Sequence, residues 1–189
     1  CSILSHSANM VAARKRPDAA MWEEARRKEE QSFEDNDVFD MHTLPELHQM
    51  GVMPGKKVAP MRMLLTSKVK ADGTFDKAKA RGVLQGHTGH FPKHGPVGRG
   101  WAVVFTPTPN VVETRLFNAL AVGENMSRFA FDVNVAFLNA ESTEEERIPV
   151  RMPEGCRKYC PKTGQELYGL LKKNLYGSPL APKNWAKCR

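Results

Sequence analysis

One carboxylate, Asp132, occupies a position suited to chemistry. It stands near the end of an apolar stretch, residues 128–133, whose pattern predicts a strand, and a bend follows at once. The end of a buried strand is a rigid mount, and a carboxylate there can hold a hard cation through oxygen. Alternatively, Asp132 only caps the following turn, because short polar side chains often bond the backbone in turns. The residues alone leave both readings open.

A second candidate is a group of cations on two predicted strands. Residues 61–70 alternate between apolar and polar side chains, the Asp-Gly of residues 71–74 predicts a hairpin turn, and residues 75–84 predict the return strand. The apolar face has Met63, Leu65 and Val69, and the other positions include Arg62, Lys68, Lys70, Lys77, Lys79 and Arg81. One face of this ribbon is therefore basic. It could grip phosphates, or its lysines could protect an exposed sheet edge from aggregation.

Histidines and cysteines offer a third kind of chemistry. The spacing of His87, His90 and His94 suits zinc, but glycine and proline interrupt the segment, and no CxxC pair accompanies it. A zinc-stabilised interaction module remains an alternative function. The four cysteines, Cys1, Cys156, Cys160 and Cys188, are too scattered for a disulfide framework and are expected to be free thiols in a reducing compartment.

Charge is distributed unevenly along the 189 residues, whose net charge is +7. Residues 51–100 hold 10 basic and 2 acidic groups and residues 151–189 hold 9 and 2, whereas residues 101–150 hold 3 and 7. Two basic blocks bracketing an acidic one suit a polyanion held over a cation site, although a solvated lysine-rich surface explains them too. No apolar run approaches the roughly 18 residues of a membrane span, and no secretory leader is evident.

The elements that must position these residues form an α+β pattern with antiparallel strands. We expect a disordered leader over residues 1–16, a helix over 17–36 with Trp22, Ala25 and Phe33 on one face, and an irregular connection over 37–60. Asn110 and Glu113 predict the start of a second helix with Val112, Leu116, Ala119 and Leu120 on its apolar face. Residues 147–152 predict a strand, and Ser178-Pro179 predicts the start of a last helix.

Five motifs, in order, resemble the reverse transcriptases of copia-type retrotransposons. FDVNVAFLNAE followed by EEERIPVRMPEG is similar to the family's first palm motif, and LKKNLYGSPLAPKNW is similar to the second. Trp22-Glu23-Glu24-Ala25 with Glu29, the hairpin ending in KAKARGVLQG, and FTPTPN with ETRL match three earlier motifs. The resemblance covers residues 19–189 and implies a right-hand polymerase, here its fingers and the first, incomplete part of its palm, as a domain over residues 17–189.

The resemblance also implies roles for individual residues. Asp132 matches the first catalytic, metal-binding aspartate, with the Val133 carbonyl as companion ligand, and the expected cofactor is Mg²⁺ in two-metal nucleotidyl transfer. Phe137 matches the ring that excludes a ribose 2′-hydroxyl. Lys79 and Arg81 match a cationic pair that grips triphosphate or template, and Tyr176 with Gly177 matches the floor beneath the incoming base pair. The implied partners are template–primer, deoxynucleoside triphosphates, and the remaining palm, thumb and ribonuclease H segments of one polyprotein.

Departures from the family pattern accompany these matches. Ser178-Pro179-Leu180 replaces the usual Leu-Lys-Gln, Gly82 replaces a leucine, and Ala140 replaces a glycine. No Asp-Asp pair occurs in the sequence, so we expect these residues alone not to polymerise. A non-catalytic transposon relic that binds nucleic acid through its basic blocks is the alternative. Either protein is expected inside the cell, in the cytoplasm, a virus-like particle or the nucleus.

Overall fold

The fold is a mixed α/β arrangement around one five-stranded sheet. In this computed structural model, residues 10–52, 58–85, 109–130 and 132–188 are described. The sheet order is β1-β5-β4-β2-β3, with antiparallel pairing throughout except between β2 and β4, which run parallel. The strands are β1 (Phe39–Thr43), β2 (Ala59–Val69), β3 (Phe75–Leu84), β4 (Pro149–Arg151) and β5 (Leu167–Leu171).

Five α-helices and two short 3-10 helices accompany the strands in the part of the chain that is described. The α-helices are α1 (Met10–Ala13), α2 (Ala19–Asp35), α3 (Leu44–Gln49), α4 (Val111–Gly123) and α5 (Ala181–Lys187), and the 3-10 helices span Ala136–Asn139 and Glu144–Glu146. Over the described residues, no helix combines the length and apolarity that crossing a membrane requires.

Helix α2 covers the inner face of the β2–β3 ribbon, as its apolar stripe predicts. Trp22, Ala25 and Phe33 are all buried, and they pack in two clusters with the inward side chains of the ribbon, among them Met61, Met63, Leu65, Ala80 and Leu84. The period-two alternation of β2 is what directs these residues inward and the charged ones outward. Burial of this face therefore fixes the register of the ribbon.

The structure differs from the sequence-based expectation at the start of the chain. Within the expected disordered leader, Met10–Ala13 form helix α1, and both terminal residues of that helix are buried beside Trp22. Residues 37–60 are not simply irregular either, because they include β1 and α3. Thr43 and Glu46 form a capping box at the start of α3, which explains where this helix begins.

The structure describes residues 128–130, 132 and 133 of the strand predicted at 128–133, and none of them lies in a strand. Residues 126–130, 132 and 133 lie in irregular, exposed chain, and no strand pairing of the described residues includes them. An alternating apolar sequence forms a strand only where another strand supplies hydrogen-bond partners. The predicted strand at 147–152 is present as the shorter β4. The last helix begins at Ala181 rather than at Pro179, although Ser178 Oγ accepts a bond from the Leu180 amide.

Helix α4 begins where predicted but does not bury its predicted apolar face. Asn110 Oδ1 accepts from the Glu113 amide, and the Glu113 carboxylate accepts from the Asn110 amide, at 2.9 and 2.8 Å. Val112, Leu116 and Leu120 are nevertheless 72%, 60% and 56% exposed. Their helical spacing makes a continuous apolar row on the surface.

Candidate nucleotide and nucleic-acid interface

The outer face of the β2–β3 ribbon concentrates positive charge. The pairing register sets Lys68 opposite Lys77, Thr66 opposite Lys79 and Leu64 opposite Arg81. We call this surface the basic face; its cations are Arg62, Lys68, Lys77, Lys79 and Arg81. Like charges placed directly opposite in a sheet are destabilising. The Lys68–Lys77 pair therefore favours an anionic ligand that would neutralise both.

Lys79 lies at the centre of the basic face and is affected by it. Partial burial lowers the pKa of Lys79 below its usual value, and the positive charges of Arg81, Lys68 and Lys77 lower it further. Glu29 of α2 acts in the opposite direction. A bound phosphate would add negative charge beside Lys79 and so favour its charged form.

Glu29 connects α2 to the free edge of β3, a link that the sequence does not reveal. Its Oε1 accepts a hydrogen bond from the Gly82 amide at 2.9 Å. Beside this bond, a Cβ on Gly82 would approach Cζ of Phe33 to 2.5 Å, so the buried ring requires glycine there. Gly82, the residue after Arg81 in β3, thus leaves room for the Phe33 ring on the inner face of the strand. The same position read from the sequence alone looks like a weakened strand.

Arg81, Tyr176 and Phe137 form a stack, which we call the ring stack. The guanidinium carbon of Arg81 lies 5.8 Å from the centre of the Tyr176 ring, a cation–π distance. The rings of Tyr176 and Phe137 meet edge to face, with centres 5.4 Å apart and planes at 68°. Three of the residues predicted for nucleotide binding, remote from one another in sequence, therefore come together in space.

The turn at Tyr176 and Gly177 is tied to the end of β3. The Leu84 amide donates to the Tyr176 carbonyl at 2.8 Å. Gly177 has φ of +81°, and a Cβ there would overlap the Leu84 carbonyl oxygen, so no other residue fits without movement. Leu175, just before the turn, is fully buried. This contact fixes Tyr176 against Arg81.

Phe137 is mounted on the 3-10 helix Ala136–Asn139. Its neighbour Leu138 is 1% exposed in the core, and Val135 precedes the helix in a left-handed conformation with φ of 46°. A β-branched residue there costs about 1–3 kcal/mol, which the surrounding structure must offset. Asn139 Nδ2 donates to the Asn134 carbonyl at 3.2 Å and closes the bend. Leu138 thus anchors the helix and leaves Phe137 half-buried against Tyr176.

Asp132 and Val133 do not lie at the end of a buried strand, where the sequence predicts them. Both are exposed, and neither lies on a strand. Among the described residues, no three histidine, cysteine, aspartate or glutamate side chains lie close enough together to hold a metal ion. One exposed carboxylate does not fit a two-metal centre. The residues present therefore do not complete such a site, and their metal-binding role stays a prediction.

A buried polar network fixes the segment between Phe137 and α5. Asn184 Nδ2 donates to Glu146 Oε2 at 3.0 Å and lies 3.4 Å from Asn174 Oδ1, while Asn174 Nδ2 donates to the Ala140 carbonyl at 3.0 Å. Three adjacent glutamates at 144–146 predict a solvated loop. Glu144 is exposed, but Glu146 is only 9% exposed, so the prediction is wrong for Glu146. The sequence carries no local signal for this network, because its partners are 38 and 10 residues apart.

The other candidate ligands remain single groups. His87, His90 and His94 lie outside the described residues, as does Cys1, so the zinc alternative stays a prediction. Cys156, Cys160 and Cys188 are free thiols, as expected. Burial raises the pKa of Cys156 to about 12, with Glu30 contributing, so its thiol is protonated at neutral pH.

Comparison with known proteins assigns the chain to a family. The family model of reverse transcriptase (RNA-dependent DNA polymerase) matches residues 45–189, and the chain belongs to that family. The relatives that the chain matches are Pol polyproteins of plant transposons.

Three relatives illustrate the match. The chain is 27% identical over 132 residues to the retrovirus-related Pol polyprotein from transposon RE2 of Arabidopsis thaliana, covering 70% of this chain and 8% of that protein. To the corresponding protein from transposon RE1 of the same plant, the chain is 28% identical over 124 residues, which cover 66% of this chain and 8% of that protein. To the corresponding protein from transposon TNT 1-94 of Nicotiana tabacum, the chain is 26% identical over 171 residues, which cover 89% of this chain and 11% of that protein. The chain thus spans about a tenth of their length, and no solved structure matches it significantly.

Proposed function

We propose that this chain forms the fingers and the first part of the palm of an RNA-directed DNA polymerase. The observation that carries the proposal is the ring stack at the end of the basic face, because it joins a phosphate-binding cation to two aromatic rings. The β2–β3 ribbon would be the finger hairpin. The segment from Phe137 through β4 and β5 to Tyr176 would be the palm.

Each group in this arrangement has a task that its chemistry suits. Arg81, with one face of its guanidinium on Tyr176, keeps planar N–H donors for phosphate oxygens. Lys79 adds a second charge two residues earlier on the same face. Phe137 would limit the space beside the sugar of an incoming nucleotide and so select deoxyribose. Tyr176 and Gly177 would lie beneath the base pair.

Mg²⁺ is the proposed cofactor, and it would supply charge neutralisation at the transferring phosphate and activation of the primer hydroxyl. Asp132 and the Val133 carbonyl are the candidate ligands in this chain. Because the described residues do not complete the centre, further carboxylates would have to come from other parts of the polyprotein. The proposed partners are template–primer, deoxynucleoside triphosphates and those remaining segments. The proposed location is the interior of the cell.

The binding part of the proposal is tested by substitution on the basic face. We expect Arg81→Ala and Lys79→Ala each to weaken binding of an RNA–DNA template–primer and to reduce the slope of log K against log salt by about 0.7–0.9 per lost phosphate contact. Fluorescence anisotropy at several salt concentrations measures both. Lys28→Ala removes the same charge from an exposed position on α2 and is the matched control. Equal effects in all three variants would contradict a role for the basic face.

The catalytic part is tested separately in the full polyprotein. We expect Asp132→Asn to abolish nucleotide addition while leaving template–primer affinity within about twofold, because an amide is a poor ligand for Mg²⁺. Primer extension and anisotropy on the same preparation separate the two effects. Extension at the normal rate by the variant would remove Asp132 from the metal site.

A second candidate, a non-catalytic relic that binds nucleic acid, has one observation in its favour. Asp132 is exposed and off any strand, so nothing in the described residues holds it in a fixed catalytic geometry. In that case template–primer binding would persist with the same salt slope, and the unaltered polyprotein would show no primer extension. The two candidates therefore differ in one measurement.

A further inference from the structure

A cavity of about 270 Å³ lies on the inner side of the sheet, away from the basic face. It is open to solvent on one side and bordered by the C-terminal half of α2, by β1 and β2, and by the segment that follows β4. Its apolar lining comprises Phe33, Phe39, Met41, Met61, Met63 and Met152. Neither the fold nor the proposed polymerase function uses this space.

The floor of the cavity is soft and apolar. Phe33, Met61 and Met63 are 7%, 6% and 3% exposed, and Phe33 meets Phe39 edge to face with ring centres 5.6 Å apart. Methionine adapts its shape to what it contacts, and its sulfur packs favourably on aromatic rings. The protonated thiol of Cys156 adds no charge. This lining therefore suits an aromatic ligand.

The mouth of the cavity is charged but internally balanced. Glu34 pairs with Lys158 at 2.8 Å, Asp37 with Lys172 at 2.5 Å, and Glu30 with Arg26 at 2.5 Å. Each acidic group at the rim thus already has a cation, and a charged ligand group that entered the apolar floor would lose its water without gaining a partner there. The ligand that fits is uncharged.

The volume of the cavity limits how large the ligand can be. An apolar cavity of about 150 Å³ is sufficient to bind benzene. We propose that the cavity between α2 and strands β1 and β2 binds an uncharged aromatic molecule of up to two fused rings. Such a ligand would lie behind β2, on the opposite side of the strand from Arg62, and its binding does not depend on the proposed polymerase function.

The test uses indole as the probe and the whole chain as the receptor. With methionine methyl groups labelled with ¹³C, we expect saturable shifts of the Met61 and Met63 signals, with Kd below about 1 mM, and no shift of Met50, which is 52% exposed at the end of α3. Indole-3-acetate, the charged analogue, is expected to bind at least about tenfold more weakly. Unsaturable shifts, or equal shifts at Met50, would overturn the proposal.

A variant pair gives a second, independent readout. Met41 is half-buried at the cavity, so Met41→Trp should fill it and weaken indole binding at least about tenfold, whereas the matched variant Met50→Trp should change it less than twofold. Should Met41→Trp fail to fold, the methyl shifts of the unaltered chain decide alone. Equal affinity in both folded variants would place the indole elsewhere and refute the site.

Discussion

Single residues decide how closely the two halves of the site approach each other. Gly177 and Gly73 share φ of +81°, but only Gly177 has the Leu84 carbonyl where its Cβ would be; Gly73 has nothing within 4 Å. The comparison between them therefore separates backbone conformation from close contact. At both positions the positive φ disfavours any residue with a side chain, and at Gly177 a Cβ would also overlap the Leu84 carbonyl.

We expect Gly73→Ala to cost about 1 kcal/mol of unfolding free energy, from the left-handed backbone alone, and Gly177→Ala to cost at least about 2 kcal/mol because of the additional overlap. Urea denaturation followed by circular dichroism measures both. Equal losses in the two variants would mean that the turn is not pressed against β3.

Glu29 makes stability depend on pH in an unusual direction. Burial raises its pKa above the usual value of 4.5, although the Gly82 amide, Lys79 and Arg81 act against this. The folded chain then binds the proton more tightly than the unfolded chain does, so this group contributes less stability as pH rises from 4.5 through the raised pKa. Glu24 is the opposite case, because Lys28 lowers its pKa.

Glu29→Gln keeps an oxygen that can accept from the Gly82 amide but removes the ionisation. Relative to the unaltered chain, we expect Glu29→Gln to gain stability as pH rises above 4.5. We expect Glu24→Gln to be less stable by a constant amount above pH 4.5, and this difference to shrink as pH falls below 4.5. Denaturant midpoints at several pH values report the trend. A pH-independent difference for Glu29→Gln would show that Glu29 is not buried as described.

At the scale of elements, buried polar contacts join α5 to the segment that follows Phe137. Removing the Asn184 side chain leaves Glu146 Oε2, in a buried position, with only the longer bond of 3.3 Å from the Thr143 amide. We expect Asn184→Ala to cost about 1–3 kcal/mol of unfolding free energy. Lys183→Ala, on the same helix and 4.0 Å from Glu146, is the control and should stay within about 0.5 kcal/mol. A similar loss in both variants would mean that α5 is held by other contacts.

Elements built from local signals could be predicted, and those built by distant partners could not. The Asp-Gly turn and strict alternation fix β2 and β3, and the Asn110–Glu113 pair fixes the start of α4, because each signal lies within a few residues. Strand β1 alternates only briefly, over residues 39–42, which is too short a run to distinguish a strand from irregular chain. It exists by pairing with β5, whose Leu171 is opposite Phe39. Residues 128–130, 132 and 133 show the reverse error, because an apolar pattern predicts a strand there and none of them pairs with another described strand.

The same distinction applies to the candidate site. The facing cations of the ribbon follow from alternation and one turn, so their common face was predictable. The meeting of Arg81, Tyr176 and Phe137 in space was not derivable from their spacing, since it depends on the bond between Leu84 and Tyr176 across the molecule. Family resemblance named these residues individually, and the fold brings them together. For Asp132 and Val133, no contact between described residues places them beside Arg81, Tyr176 and Phe137.

At the scale of the whole molecule, charge and apolar surface lie in different places. The basic face is on the outer side of the ribbon, the cavity is on its inner side, and the apolar row of Val112, Leu116 and Leu120 runs along α4. A ligand for one of these surfaces need not interfere with a ligand for another. Nucleic-acid binding and indole binding can therefore be measured on the same sample without competition.

The apolar row of α4 has a practical consequence for anyone handling the isolated chain. Three large aliphatic side chains at one-turn intervals will attract the same row on a second molecule, and this attraction strengthens with protein concentration and with salts that weaken apolar solvation. Static light scattering should then rise faster than linearly on concentration. The high-salt points of a nucleic-acid titration are where clustering would be mistaken for tight binding.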